Sequence, residues 1–226
     1  MTDEPIDRQT HWQKVYRTRT ADSVSWYRPH LDVSIELLER ARLSVDSRVI
    51  DIGGGASTLV DDLLDRGLRG VSVLDVSAEA LAIAQKRLGD RARNVTWYVA
   101  DVLHAVLPAG AFDLWHDRAV FHFLTEPTEA ARYAQLAAGA VRIGGHAVIG
   151  GFAPDGPERC SGLPVARRSA KEIAAILSPE FSLVEMRDER HVTPGGTEQS
   201  FVYALLRRAP TVDVGEQHRT KAAKVP

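Results

Sequence analysis

Three acids stand at the ends of short apolar runs: Asp51 after "RVI", Asp75 after "VSVL" and Asp101 after "WYVA". The first breaks almost at once into Gly53, Gly54 and Gly55, with Ala56 and Ser57 behind them. Glycine permits φ > 0 and a close approach to the backbone, so three together after a strand mark a turn that brings a ligand against the main chain between strand and helix. Asp75 follows Asp51 by 24 residues (75 − 51), the spacing at which open α/β sheets place an acid against ribose hydroxyls. A carboxylate accepting two such hydroxyls contributes about 1.5–3 kcal/mol. Acids at three successive strand ends, in register, are together a far more specific signal than the glycines alone.

A second group of reactive types lies in "FDLWHDRAVFHFLTEP". His116 and Asp117 form an adjacent titratable pair, with His122 farther along and Trp115, Phe121 and Phe123 as candidate walls. Two readings stand side by side. In one, Asp117 or His116 is a general base or orients a nucleophile; in the other, His116 bonds backbone and Asp117 pairs with Arg118 or caps the next helix. A metal held by His116, Asp117 and His122 would need a third or fourth ligand placed to converge, so no metal site is expected. The long loop "GGFAPDGPERCSGLPVARRS" carries the single cysteine, Cys160, read as lining a pocket rather than as a nucleophile. Its Arg159, Arg167 and Arg168 either hold an anion or are solvated. Near the start, His11, Trp12 and Tyr16 with Ser25, Trp26 and Tyr27 make an aromatic group, either an apolar staple or a lid over a cationic centre worth about 0.5–2 kcal/mol.

Positioning these groups takes a parallel sheet. β-Branched runs over 48–52, 70–74, 95–99, 112–115 and 146–150 alternate with helical patterns over 58–66, 78–88, 129–140 and 170–177, as βαβ units require. Ligands then bind outside the carboxyl ends of the strands. Two last strands, over 181–187 and 200–207, follow each other with only "DERHVTPGGTEQ" between them and pair as a hairpin. In "DVSIELLERARL" Val33, Leu37, Leu38 and Ala41 share a helical face. The chain divides into an arm over 1–30, a cofactor-binding domain over 31–208 and an unstructured tail over 209–226.

At 44% hydrophobic and 26% charged residues, the 226-residue chain has the composition of one globular domain. A net charge of −2 gives no basic field, so nucleic acid is not an expected partner. One cysteine forms no internal disulfide, the start "MTDEPIDRQT" has no apolar leader, and no stretch approaches the roughly 18 apolar residues of a membrane span. A cytoplasmic protein, monomer or homodimer, with no membrane association is expected.

"DIGGGAS" resembles the D/E-x-G-x-G-x-G signature of the class I S-adenosylmethionine (SAM) methyltransferases, with Ser57 where the third glycine usually stands. The resemblance implies a Rossmann-like α/β fold, a seven-stranded mainly parallel sheet with a C-terminal antiparallel hairpin and helices on both faces. It implies SAM as cofactor, with contacts at Asp51, Gly53, Gly55, Ser57, Asp75, Val76, Asp101 and Val102. Asp101 would lie beside the adenine amino group, the Val102 N–H would meet a ring nitrogen, and Trp26 would belong to the lid. Charge favours SAM over NAD: a pyrophosphate is repelled by carboxylates, whereas a sulfonium and an ammonium are accommodated by them. "HW…Y" and "SWY" are similar to the entry segments of small bacterial methyltransferases related to eukaryotic lysine methyltransferases of elongation factor 1A and citrate synthase. Those carry an Asp-Lys-Gly-like motif where this chain has Asp117-Arg118-Ala119, so protein-lysine specificity is not carried over. The expected activity is methyl transfer to a small-molecule thiol, amine or oxygen acid. The alternatives are a protein-lysine methyltransferase, an NAD-type oxidoreductase and a SAM-binding module without catalysis.

Overall fold

The computed structural model describes residues 7–210, so residues 1–6 of the expected arm and 211–226 of the expected tail lie outside the described residues. In chain order come α1 (Arg8–Thr18), α2 (Asp32–Arg40), β1 (Arg48–Ile52), α3 (Leu59–Asp65), β2 (Gly70–Asp75), α4 (Ala78–Leu88), β3 (Val95–Val99) and β4 (Phe112–Arg118). They are followed by α5 (Pro127–Ala140), β5 (Val141–Phe152), the short β6 (Arg159–Cys160) and β7 (Leu163–Pro164), α6 (Ala170–Leu177), β8 (Phe181–Val192) and β9 (Glu198–Arg208). Seven strands form one sheet in the order β3-β2-β1-β4-β5-β9-β8, and β6 and β7 pair separately. The first five are parallel; β9 runs antiparallel to both β5 and β8.

β1 lies inside the sheet between β2 and β4, and its Val49, Ile50 and Ile52 are buried on both faces, as the covered strands of parallel sheets are. Alternation sorts the side chains. Val49 and Leu114 pack with Leu37, Leu38, Leu59 and Leu81 of α2, α3 and α4 on one face; Ile50, Ile52 and Trp115 pack with Tyr133 of α5 and Ile173 and Leu177 of α6 on the other. Local chemistry sets the helix ends: the Ser77 hydroxyl accepts from the Ala80 N–H at the start of α4, Pro127 opens α5, and Ser169 with Glu172 forms a capping box on α6.

Several strands outrun their sequence patterns. β4 continues past Trp115, where its apolar pattern stops, through His116, Asp117 and Arg118. β8 and β9 extend through most of "DERHVTPGGTEQ", leaving a turn at 193–197 with Gly196 at φ 81°. β8 is an edge strand, and its exposed polar residues hid the strand from an apolar pattern.

Candidate active site

The chain reverses its direction of growth between β2 and β4 on either side of β1, which opens a crevice at the carboxyl ends of these strands. Gly53 and Gly55 take φ of 65° and 36° there. The crowding that demands glycine comes from the protein itself. A Cβ on Gly53 would collide with Val120, one on Gly54 with the Asp51 carboxylate, and one on Gly55 would lie 2.6 Å from Asp75 Oδ2. The turn is folded down onto its two acids, and Gly53 at the same time lines the crevice.

Two connected cavities occupy the crevice, an outer one of about 780 Å³ and an inner one of about 500 Å³, both including space open to solvent. They share Tyr16, Trp26, Ile52, Gly53 and Arg118 as walls. Asp75, Val76, Asp101 and Val102 line the outer cavity; Asp51, Ser57 and Thr58 line the inner one. Every cofactor position expected from the sequence therefore borders this one crevice except Gly55, which supports it from beneath against Asp75. Asp75 is 7% exposed, and burial raises its carboxyl to about 7, opposed by the Ser77 and Val76 backbone N–H groups and reinforced by the nearby Asp51 charge. Asp101 is more open; its Oδ1 accepts from Leu103 N at 2.8 Å and its Oδ2 is 3.7 Å from Arg8 Nη1.

Helix α1 crosses above the strand ends. Near its start Arg8 donates two 2.7 Å bonds to Glu129 in the first turn of α5, and near its end Arg17 bonds Glu79 in the first turn of α4. Asp7 caps it by accepting from Gln9 N and Thr10 N. Its Trp12 meets Trp26 and Phe123 edge-on at 5.6 and 5.3 Å, and Tyr16 meets Trp26 at 6.4 Å, so the aromatic group forms a roof. The Tyr16 hydroxyl is buried toward Asp75, and this desolvation pushes it above its ordinary range.

His116 and Asp117 do not form the expected pair at the cleft. Successive residues of a strand point to opposite faces, and these two are both in β4. His116 turns to the face of α2, where Nδ1 meets Asp51 Oδ1 at 2.7 Å and Nε2 meets Ser34 Oγ at 2.9 Å; with the carboxylate as acceptor, Nδ1 carries the proton and Nε2 receives the serine hydroxyl. It borders the inner cavity with both ring nitrogens engaged. Asp117 turns to the face of α5, fully buried. It accepts from Val120 N (2.9 Å), Phe121 N (3.1 Å) and the Tyr133 hydroxyl (2.6 Å), which in turn accepts from Trp115 Nε1 (2.8 Å). Burial raises the Asp117 carboxyl to about 6. It therefore fastens the segment after β4 and has no edge on the cleft. Trp115 and Phe121 are core residues; of the expected walls only Phe123 reaches the cavity. His122 packs against Phe152 and Phe123, and burial lowers it to about 3.

Cys160 lines the outer cavity, 5% exposed, and burial pushes its thiol up to about 12. A thiol so held is neither nucleophile nor base near neutrality. The expected outcome for Cys160→Ser is methyl transfer within about threefold of the parent, measured at saturating cofactor; loss of turnover with cofactor affinity intact would assign the sulfur a chemical role. Arg168 bonds the Phe121 and Leu124 carbonyls and braces the loop. Arg8 and Arg118 are wall residues that the motif analysis missed: both are isolated arginines in sequence, and only the crossing of α1 and the extra length of β4 bring them to the cleft.

The donor set suits SAM. Asp75 is a desolvated carboxylate with backbone donors but no cation against it, which accommodates a ligand bringing hydroxyls and positive charge and disfavours one bringing a pyrophosphate. Among the described residues no helix is long and apolar enough to cross a membrane.

Residues 49–145 match the family model described as "Methyltransferase domain". A curated relative, the eEF1A lysine and N-terminal methyltransferase of Mus musculus, is 22% identical over 141 residues, 62% of this chain; the match spans 20% of that relative's length. Among solved structures, one reported for the conversion of a disulfide bond into a thioacetal group during echinomycin biosynthesis superposes with a TM-score of 0.70 at 19% identity, covering 88% of this chain and 90% of that one. Another, the Burkholderia thailandensis 1,6-didemethyltoxoflavin-N1-methyltransferase with 1,6-didemethyltoxoflavin and S-adenosylhomocysteine bound, gives 0.65 at 20% identity over 92% and 93% of the two chains. Residues 49–145 thus carry a methyltransferase domain, and the sheet order with its glycine turn and strand-end acids is the Rossmann-like methyltransferase fold.

Proposed function

We propose that the chain transfers the methyl group of SAM to a small-molecule nucleophile held beneath α1. The observation that carries this reading is the fastening of α1 at both ends, by Arg8 to α5 and by Arg17 to α4, over a cavity of about 780 Å³ walled by Trp12, Trp26, Phe123 and Cys160. A cleft roofed in this way suits a small ligand and disfavours a protein segment. The neighbour with 1,6-didemethyltoxoflavin bound, itself a small-molecule enzyme, supports the same reading.

SAM supplies an electrophilic methyl on a sulfonium; the protein's share is binding and placement. Asp75 with Val76 receives the ribose hydroxyls, Asp101 and the Val102 N–H the adenine edge, and Gly53, Gly55 and Ser57 shape the methionyl end. Asp51 Oδ2, buried and without a hydrogen-bond partner, is the oxygen left for the ammonium. Trp26 covers the site. Holding two reactants in line supplies about 7–11 kcal/mol of the barrier lowering, so no covalent enzyme intermediate is needed. The eEF1A lysine and N-terminal methyltransferase relative keeps a protein acceptor as the second reading.

The test is tritiated SAM incubated with a cell lysate split into macromolecular and low-mass fractions. Label in low-mass products is expected. Label confined to protein would overturn the small-molecule acceptor in favour of the second reading, and tight cofactor binding without label in either fraction would leave a sensor.

A further inference from the structure

We propose that the acceptor enters the cleft already ionised at pH 7, as a carboxylate or as an acidic hydroxylate or thiolate, and that Arg118 is the cation that receives it. The proposal rests on the reading of a small-molecule acceptor and narrows its class.

An alcohol, a neutral thiol or an ammonium group has a proton to lose before its lone pair can attack a methyl carbon, so the cleft needs a base within reach. Among the described residues, four candidate bases do not serve. His116 has both ring nitrogens bonded, to Asp51 and Ser34, and Asp117 lies on the opposite face of β4. The Cys160 thiol and the Tyr16 hydroxyl are both held protonated by burial. Asp75 and Asp101 line the same cavity but are the acids given above to the ribose hydroxyls and the adenine edge.

What the acceptor side does hold is a buried cation with an unmatched donor. Arg118, whose side chain is 6% exposed, lines both cavities. Its Nε donates to the Tyr203 hydroxyl and its Nη1 to the Trp26 carbonyl, each at 2.9 Å, while Nη2 is buried without a hydrogen-bond partner. The nearest acid, Glu189 on β8, is 3.9 Å away and is shared: it accepts from the Tyr203 hydroxyl at 2.6 Å and pairs with Arg28 Nη1 at 3.4 Å. His191, which also faces this network, is lowered by burial and bonds the Ser25 carbonyl through Nε2, and the buried His122 and Cys160 both feel the Arg118 charge. Two guanidinium groups thus share the buried Glu189, and of the two only Arg28 has a further carboxylate, Asp32 at 3.3 Å. A buried cation that lacks a full complement of acceptors is costly unless a ligand completes it, and an anion does so. The step then balances without a base: the anion's electron pair forms the bond to the methyl carbon, the carbon–sulfur bond breaks with its pair going to sulfur, and no proton moves. The product carries one negative charge fewer than the acceptor.

That lost charge is the readout. A low-mass cell extract is separated on an anion exchanger at pH 7, and each fraction is incubated with the protein and tritiated SAM. Label is expected only from retained fractions, in a product that elutes earlier on the same column than the acceptor that gave it. Label from unretained material, or a product with the acceptor's own elution, would mean a neutral or amine nucleophile and overturn the proposal while leaving the small-molecule reading in place; label in protein alone would overturn both. With the active fraction in hand, Arg118→Gln is expected to raise the amount needed for half-maximal transfer about 10- to 150-fold, with S-adenosylhomocysteine affinity changed less than threefold. An equal loss of cofactor affinity would assign Arg118 to the cofactor instead. Should that variant not fold, the elution shift with the parent protein decides alone.

Discussion

Asp75→Ala weakens binding of S-adenosylhomocysteine about 10- to 150-fold, the expected loss when two hydroxyls forfeit a charged acceptor. Asp101→Ala costs less, because the Val102 N–H remains and because Asp101 is already partly matched by Arg8. pH adds a second signature. The Asp75 carboxyl titrates at about 7 in the free protein, and hydroxyl donors favour its charged form, so affinity declines as pH falls through 7, by up to about tenfold per unit. Asp75→Asn abolishes this slope. The stability of the free protein runs the other way. The folded carboxyl sits above its unfolded value of 3.8, so the folded state holds a proton that the unfolded state has released. Stability contributed by this group is therefore complete below about pH 4 and is lost as pH rises to about 7. Asp75→Asn removes that loss, and the variant is expected to be more stable than the parent at pH 8, on the order of 2–4 kcal/mol, while binding cofactor worse. Calorimetric titration and thermal melts across pH 5 to 8 check both; an unchanged affinity in a folded variant would take Asp75 out of the site.

The second large effect is on folding. Asp117→Ala strands the Val120 and Phe121 N–H groups and the Tyr133 hydroxyl in the interior, at a cost of about 3–5 kcal/mol. For a domain of this size that lowers the melting temperature by about 10 °C. Tyr133→Phe, which leaves Trp115 Nε1 without its acceptor and Asp117 without one donor, is expected to fall between the variant and the parent. In each case turnover per folded molecule stays within a few-fold of the parent. A loss of 10²–10⁴ in kcat without a change in melting temperature would instead restore Asp117 as general base.

The fate of Asp117 shows where a sequence is legible and where it is not. The strand-end acids and the glycine turn announce themselves because β1 and β2 are buried apolar runs that stop where the crevice begins. Asp51, Asp75 and Asp101 consequently border one cleft, as their spacing requires. "HDR" falls outside the strand pattern that ends at Trp115 because polar residues interrupt the apolar run, yet β4 runs on to Arg118 and sends His116 and Asp117 to opposite faces. One residue of strand length decides whether such a pair is a catalytic dyad or two separate struts, and strand ends are the least legible part of a pattern. Arg8 was illegible for another reason. Its contacts with Glu129 and Asp101 join residues more than ninety positions apart (101 − 8 = 93), and nothing local to "IDRQTHW" reports that α1 crosses the sheet. The glycines were legible as a turn, but the atoms that forbid side chains there are Val120, Asp51 and Asp75, each brought in by the fold.

The central claim is that the crevice above β1, β2 and β4 receives a cofactor with a diol and a positive charge, and parallel calorimetric titrations with S-adenosylhomocysteine and NADH test it most directly. The account predicts one site per chain for S-adenosylhomocysteine, weakened about 10-fold or more in Asp75→Ala, and no measurable heat with NADH. Equal affinity of parent and variant for S-adenosylhomocysteine, or tighter binding of NADH, would contradict it.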